Sequence, residues 1–244
     1  MRFLPHHRAT EPQRKNNHIS LALLRERVGV RVCQILFFLS VSLCLCGSLS
    51  YAQEQITVAV ASSFYQQAKV YSTQFEAEHD VEIKLVLGST GRLFNQIQQG
   101  APFDIFIAAD KERPALLNKP NKLIARGFLG LQIGKQLTQD IQQLRQSRIR
   151  NIVIPSPQVA PFGKAAKQML KQVGLWADIK PKLVYAQNAM QATMMVEQGL
   201  TDAGFVPVDK KNALVEVPYV AVVLTNTLLV QQYYKELGGN DVSK

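Results

Sequence analysis

Leu87-Gly88-Ser89-Thr90-Gly91-Arg92-Leu93-Phe94-Asn95-Gln96-Ile97 is the stretch on which the reading of this chain turns. A strand-like run, Ile83-Lys84-Leu85-Val86-Leu87, leads into it. Behind it, Leu93, Phe94 and Ile97 fall on one face of a helix. Two glycines bracket a Ser-Thr pair, and glycine lets a backbone turn sharply and come close to a neighbour. The hydroxyls stand where a helix begins and its unsatisfied N–H groups point outward. That arrangement builds a seat for an anion. It equally describes a plain strand-to-helix loop with a capping hydroxyl, and the stretch alone leaves both readings open.

The same pattern recurs on either side. Ile56-Thr57-Val58-Ala59-Val60 alternates as a strand, and Ala61-Ser62-Ser63 ends it. Phe64, Ala68, Tyr71 and Phe75 then recur at helical spacing, which predicts a helix starting at the serines. Gln99-Gly100-Ala101-Pro102 stops the second helix, and Phe103 to Ala109 is nearly continuous apolar sequence, suited to a buried parallel strand. Asn118-Lys119-Pro120-Asn121 is a break. Leu123–Ile133 holds two glycines and reads as a connecting strand over part of its length, and Leu137–Arg148 reads as a polar helix. Asn151 to Ile154 is a short strand stopped by Pro155, and Ala160-Pro161-Phe162-Gly163 opens a helix that Gly174 ends. Leu183-Val184-Tyr185 is a strand, Gln187-Asn188-Ala189 opens another helix, and Ala203-Gly204-Phe205-Val206 is a strand. Val217–Leu224 and Leu228–Leu237 are the last strand and the last helix. Alternating strands and helices predict an α/β architecture with parallel sheets. In such sheets ligands bind beyond the carboxyl ends of the strands. Four strand-to-helix junctions qualify: Ser62-Ser63, Ser89-Thr90, Ala160 to Gly163, and Asn188-Ala189. All four offer backbone N–H groups, two add hydroxyls, and none carries a catalytic base.

Composition removes several function classes. The net charge of +10 suggests nucleic acid. However, residues 1–52 hold seven basic and only two acidic side chains, which leaves +5 spread over the other residues. No basic run there exceeds Lys210-Lys211, so the clustered charge of a nucleic-acid surface is missing. Cys33, Cys44 and Cys46 all lie before residue 53, and His79 is the one histidine after it. Disulfides, Cys/His zinc sites and thiol nucleophiles are thereby excluded from residues 53–244. Residues 32–50 form an apolar core behind a basic region, followed by Ser50-Tyr51-Ala52. This predicts a secretory signal peptide over 1–52, cleaved after Ala52, and an exported, periplasmic protein.

Val60-Ala61-Ser62-Ser63, Gly88-Ser89-Thr90-Gly91 and the run from Gln96 to Asp110 carry a resemblance. So, further on, do Pro155 to Gly163, Val184–Ala192 and Ala203-Gly204-Phe205-Val206. In order, they resemble the periplasmic molybdate-binding proteins of ABC importers over most of residues 56–224. The resemblance implies a two-lobed type II periplasmic-binding-protein fold, with parallel-rich sheets flanked by helices and the ligand in the inter-lobe cleft. The lobes would be 53–120, 121–206 and a return to the first over 207–244. By matching positions, Ser63 and Thr90 would bind a tetrahedral oxyanion through hydroxyl and backbone groups. Phe162 and Ala189 would add backbone N–H groups from the second lobe. Ser62, Gly88, Ser89 and Gly91 would support the loops. Pro207 stands where some relatives place a tyrosine hydroxyl, and it can donate nothing.

Helix N-termini carry partial positive charge and free N–H groups, so they can hold a dianion without a lysine or arginine. Arg92, beside the loop, reads as a solvent-facing residue of the first helical turn. Asp104 reads as a structural acceptor and Asp110 as a helix cap. With no carboxylate in the four loops, an anion that brings its own proton finds no acceptor. The expected protein is therefore a solute-binding protein, not an enzyme. It would take molybdate or tungstate through oxygen contacts, with no direct metal ligand and no cofactor. As a monomer it would hand the anion to the membrane subunits of an ABC permease, and it would not bind nucleic acid. Three alternatives stand beside this: a receptor for sulfate or another anion, a degenerate member that no longer binds, and a serine hydrolase. The last would need Ser63 or Ser89 activated by a base, and His79 is the available one.

Overall fold

The computed structural model describes residues 53–238. The expected signal peptide over 1–52 and its cleavage after Ala52 lie outside the described residues. Nine strands form one mixed sheet: β1 (Glu54–Ala61), β2 (Val81–Gly88), β3 (Ile105–Ala108), β4 (Asn121–Ile133), β5 (Gln136–Thr138), β6 (Ile152–Pro155), β7 (Leu183–Ala186), β8 (Ala203–Val208) and β9 (Val215–Val223). The helices are α1 (Tyr65–Glu78), α2 (Thr90–Gln98), α3 (Glu112–Leu116), α4 (Pro161–Gln172), α5 (Trp176–Ile179), α6 (Ala189–Glu197) and α7 (Leu228–Glu236). Several short 3₁₀ turns join them, among them Ser62–Phe64, so the expected helix at the serines begins as a tighter turn and becomes α-helical only at Tyr65.

The strand order is β2-β1-β3-β9-β4-β8-β6-β7, with β5 hairpinned onto β4. Pairing is parallel in β1/β2, β1/β3, β6/β7 and β6/β8, and antiparallel in β3/β9, β9/β4, β4/β8 and β4/β5. The expected α/β class holds, while parallel pairing is confined to the two ends of the sheet. The middle is antiparallel because β4 and β9 run between the ends. Residues 121–129 of β4 pair with β9, and residues 128–133 pair with β8.

Val58, Ala59, Val60, Ile105, Phe106, Ile107, Ile152, Val153 and Ile154 are fully buried. Helices therefore cover both faces of the parallel ends, which is why those strands read as continuous apolar runs. The β4 segment shows what its glycines are for. A Cβ at Gly127 would lie 2.5 Å from the Tyr219 ring, and one at Gly130 would lie 2.7 Å from Val208. Glycines that weaken a strand by propensity are here the condition for close packing, so the strand is longer than its sequence suggests.

The expected polar helix over Leu137–Arg148 is a correction. Gln136–Thr138 instead pairs with Leu131–Ile133 as β5. The Asp140 side chain then accepts from the Gln142 N–H at 3.1 Å and starts a 3₁₀ turn, Ile141–Arg145. Leu144 is the one buried residue of that turn, so no apolar face exists to hold an α-helix. Trp176 is partly buried against the core, with Lys167 Nζ 5.4 Å from its ring centre.

A buried phenol predicts alkaline sensitivity. Tyr233 is 1% exposed and its hydroxyl lies 3.0 Å from Ser72 Oγ. Burial pushes it up to about 12 from an ordinary 10; the Ser72 bond pulls the other way, and Glu76 and Glu236 add to the rise. Above pH 10 the unfolded chain loses this proton while the folded chain keeps it. Stability is therefore fully present below pH 10 and falls by roughly 2–3 kcal/mol toward pH 12. Urea midpoints from pH 8 to 12 should show the fall, and Tyr233→Phe should remove this residue's share.

Candidate functional site

The ends of β1, β3 and β6 and the starts of α2, α4 and α6 converge on one cavity of about 190 Å³, its open mouth included. Ala61, Ser62, Ser63, Thr90, Ala109, Ala160, Pro161, Phe162 and Ala189 line it. The four residues expected to touch a ligand, Ser63, Thr90, Phe162 and Ala189, are thus brought together from four separate junctions. The enclosed part of this space holds no more than about one water-sized centre, so an organic ligand or cofactor does not fit it. No carboxylate lines it.

Each junction presents donors for a local reason. Ser89 is the N-cap of α2 and makes no side-chain cap bond. Its hydroxyl is buried without a partner and does not line the cavity. Thr90, the first residue of α2, does line it. Its Oγ1 accepts from the Ala109 N–H at 3.0 Å, which leaves the hydroxyl proton free to be given away. At α4, Ala160 is the N-cap and Pro161 removes an N–H that the helix could not have used. The next N–H groups, those of Phe162 and Gly163, have no carbonyl partner within the helix. Gly163 lets that helix start sit directly on β6: a Cβ there would fall 1.8 Å from the Pro155 carbonyl oxygen. At α6, Asn188 Oδ1 accepts from the Gln191 N–H at 2.9 Å, and Ala189 follows as the first helical residue. Burial holds the nearby Tyr219 phenol above its ordinary range, and the Ser63 hydroxyl, which favours the phenolate, pulls it the other way.

Polar contacts join the segments around these junctions. The Gly91 N–H donates to the Val159 carbonyl at 2.8 Å. Arg92 Nη1 donates to Gln187 Oε1 at 2.8 Å, so this exposed first-turn residue reaches across to the α6 junction. Lys164 and Glu112 pair at 2.8 Å. Arg113 pairs with Asp110 at 2.5 Å and reaches the Gln158 carbonyl at 3.4 Å. Asp110 also accepts from the Arg113 N–H, as a cap does, and Asp104 accepts from the Thr57 N–H at 2.8 Å. Both carboxylates are therefore engaged structurally. Gly88 sits under Leu93, where a Cβ would come within 2.9 Å of its Cγ. Pro207 lies in β8 opposite Leu129 and is not part of the lining.

His79 does not serve a serine. Its ring stacks on Phe75 at 3.9 Å, and Nδ1 lies 3.1 Å from the Phe75 carbonyl, at the end of α1. Among the described residues there is no cluster of metal-ligating side chains, and no helix is long and apolar enough to cross a membrane. Sequence reasoning missed Ala109, whose N–H orients Thr90, and Tyr219. The continuous apolar run Tyr219-Val220-Ala221-Val222-Val223 marks Tyr219 as core, since β9 is buried on both faces there.

Known proteins resemble this chain in sequence and in fold. The molybdate-binding protein ModA of Azotobacter vinelandii is 32% identical over 161 residues, which is 62% of this chain and 64% of that protein. ModA of Escherichia coli is 27% identical over 184 residues, covering 68% of this chain and 70% of the relative. The chain thus spans just under two thirds of the Azotobacter protein and slightly more of the Escherichia one. Among solved structures, the periplasmic molybdate-binding protein of Azotobacter vinelandii superposes with a TM-score of 0.67 at 24% identity, over 76% of this chain and 93% of that one. The sulfate-binding protein SubI of Mycobacterium tuberculosis gives 0.61 at 15% identity, over 78% and 83%. These neighbours share the type II periplasmic-binding-protein fold. The family of bacterial extracellular solute-binding proteins, which are not enzymes, matches residues 56–234, and the chain belongs to it.

Proposed function

We propose that this protein captures a tetrahedral, fully deprotonated oxyanion, molybdate or tungstate, in the cavity between the four junctions and delivers it to an ABC permease. The observation that carries the reading is the lining itself: Ser63, Thr90, Phe162 and Ala189 converge with donors, and no carboxylate faces the space. Hydrogen bonds to an ionised acceptor are the strong ones, and helix N-termini supply them without a neutralising side chain. Of the described residues, 53–120 and 207–238 make one lobe and 121–206 the other, with β4 and β9 as the strands that join them. The contacts of Gly91, Arg92 and Lys164 across the mouth close the lobes on the anion. Export through residues 1–52 places a monomeric protein in the periplasm, where the permease is its partner.

The test is a thermal melt of the purified protein in an oxyanion series. A ligand of the native state at about one hundred times its Kd raises stability by roughly 2.7 kcal/mol. Molybdate or tungstate should give that shift. Hydrogen phosphate should give little, because its proton meets no acceptor. A shift with sulfate alone would move the assignment to a sulfate receptor, and no shift with any oxyanion would mark a chain that no longer binds.

A further inference from the structure

We propose that Gly91 is a positioning residue of this anion site: the Val159 carbonyl of the facing lobe caps the start of α2, and only a bare Cα at residue 91 lets the two jaws meet closely enough for that bond. The inference rests on the reading that two lobes close on an oxyanion here.

The free N–H groups at the start of a helix are usually taken by the N-cap side chain. In α2 that residue is Ser89, whose hydroxyl makes no cap bond and has no partner among the described residues. The Gly91 N–H goes instead to the Val159 carbonyl, at 2.8 Å. Gly91 belongs to the lobe that holds residues 53–120, and Val159 to the lobe of 121–206. Each is the chain neighbour of a residue that lines the cavity, Thr90 on one side and Ala160 on the other. The bond therefore fixes the gap between the starts of α2 and α4, one residue away from the ligand donors.

Gly91 is buried, and its φ is not in the left-handed region, so alanine there meets no backbone strain. What it meets is the other lobe. A Cβ would lie 2.9 Å from the Val159 carbonyl oxygen, 3.0 Å from the Val159 Cα and 3.0 Å from Arg113 Nη2. The end of the arginine can swing aside. The Val159 backbone cannot, unless the loop that leads into α4 moves with it. Ordinary contact begins at 3.4 Å, so the jaws would part by about half an ångström. That carries the 2.8 Å bond past the usual N–H···O range. The other contacts between these segments do not make up the loss. Arg92–Gln187 and Lys164–Glu112 are exposed, and exposed polar pairs add little. Arg113 reaches the Gln158 carbonyl only at 3.4 Å. The backbone contact at Gly91 thus sets how firmly the cavity shuts, and with it how long the anion is held.

Molybdate titration by calorimetry and stopped-flow kinetics, on wild type and Gly91→Ala, test this. Gly91→Ala should weaken molybdate binding by about tenfold, the scale of one lost hydrogen bond together with loosened donors. Dissociation should be faster by a similar factor, with association within about threefold of wild type, because closure follows encounter. The urea midpoint of the protein without molybdate should stay level or rise, since alanine is the better helix former and the open lobes give its Cβ room. Affinity and dissociation close to wild type overturn the proposal. So does a lowered midpoint without molybdate, which would make Gly91 a packing residue only. Amide exchange in the wild-type protein needs no substitution: the Gly91 N–H should exchange at least about tenfold more slowly in saturating molybdate, and equal exchange with and without it also overturns the proposal. A wild-type protein that takes up no molybdate overturns the reading beneath it, and is recognised before any substitution is made.

Discussion

Gly163→Ala lowers stability by about 3 kcal/mol, the upper end of the usual range for overpacking, and abolishes anion binding. The expected size follows from what the new Cβ meets. It would fall 1.8 Å from the Pro155 carbonyl oxygen and 2.6 Å from the carbonyl carbon. Neither atom is the end of a flexible side chain, so α4 must move off β6 as a unit. The Phe162 and Gly163 N–H groups move with it, by an ångström or so, which is enough to lose hydrogen bonds whose useful range spans about half an ångström. Gly174 makes the control. It ends α4 at φ 71° with nothing near its Cβ position, so alanine there carries only the left-handed backbone cost, roughly 1–2 kcal/mol, and leaves the cavity intact. Chemical denaturation for stability and molybdate titration for binding separate the two variants. Near-equal behaviour of Gly163→Ala and Gly174→Ala would mean that the close seating of α4 on β6 is not what positions the donors.

Thr90→Val carries the second large effect, because one hydroxyl serves two partners. Valine keeps the shape and the burial of a residue that is 0% exposed. The Ala109 N–H loses its acceptor in a buried place, which costs about 1–3 kcal/mol of stability. The anion loses a charge-assisted donor, so affinity falls about 10- to 100-fold. Thr90→Ser restores the hydroxyl and should recover most of both. Loss of stability with full retention of affinity would confine Thr90 to a structural role and shift the first-lobe contact to backbone N–H groups alone.

The residues that line the cavity were more legible in the sequence than the sheet was. The Gly-Ser-Thr-Gly turn, the serine pair, Phe162 and Ala189 each stand at a strand-to-helix junction. Apolar periodicity locates such junctions directly, because the core face of each helix begins at them. What periodicity could not convey was long-range pairing. The glycines of β4 look like interruptions until Tyr219 and Val208 are packed on them. The segment Leu137–Arg148 has good helix formers but no apolar stripe, and pairing with β4 takes its first two residues, Leu137 and Thr138. Tyr219 is the clearest case: its own strand marks it as core, and only the three-dimensional neighbours Ser63, Phe64, Phe162 and Gly127 tie it to the cavity. Ala109 escaped for a related reason, since a backbone N–H leaves no trace in a sequence.

The central claim is that a donor-only cavity holds a deprotonated tetrahedral oxyanion. Isothermal titration of the purified protein at neutral pH with molybdate, tungstate, sulfate and phosphate addresses it most directly. The account predicts one site per chain for molybdate or tungstate, with phosphate far weaker. Absence of heat with both metal oxyanions, or phosphate binding as tightly as either, would contradict it.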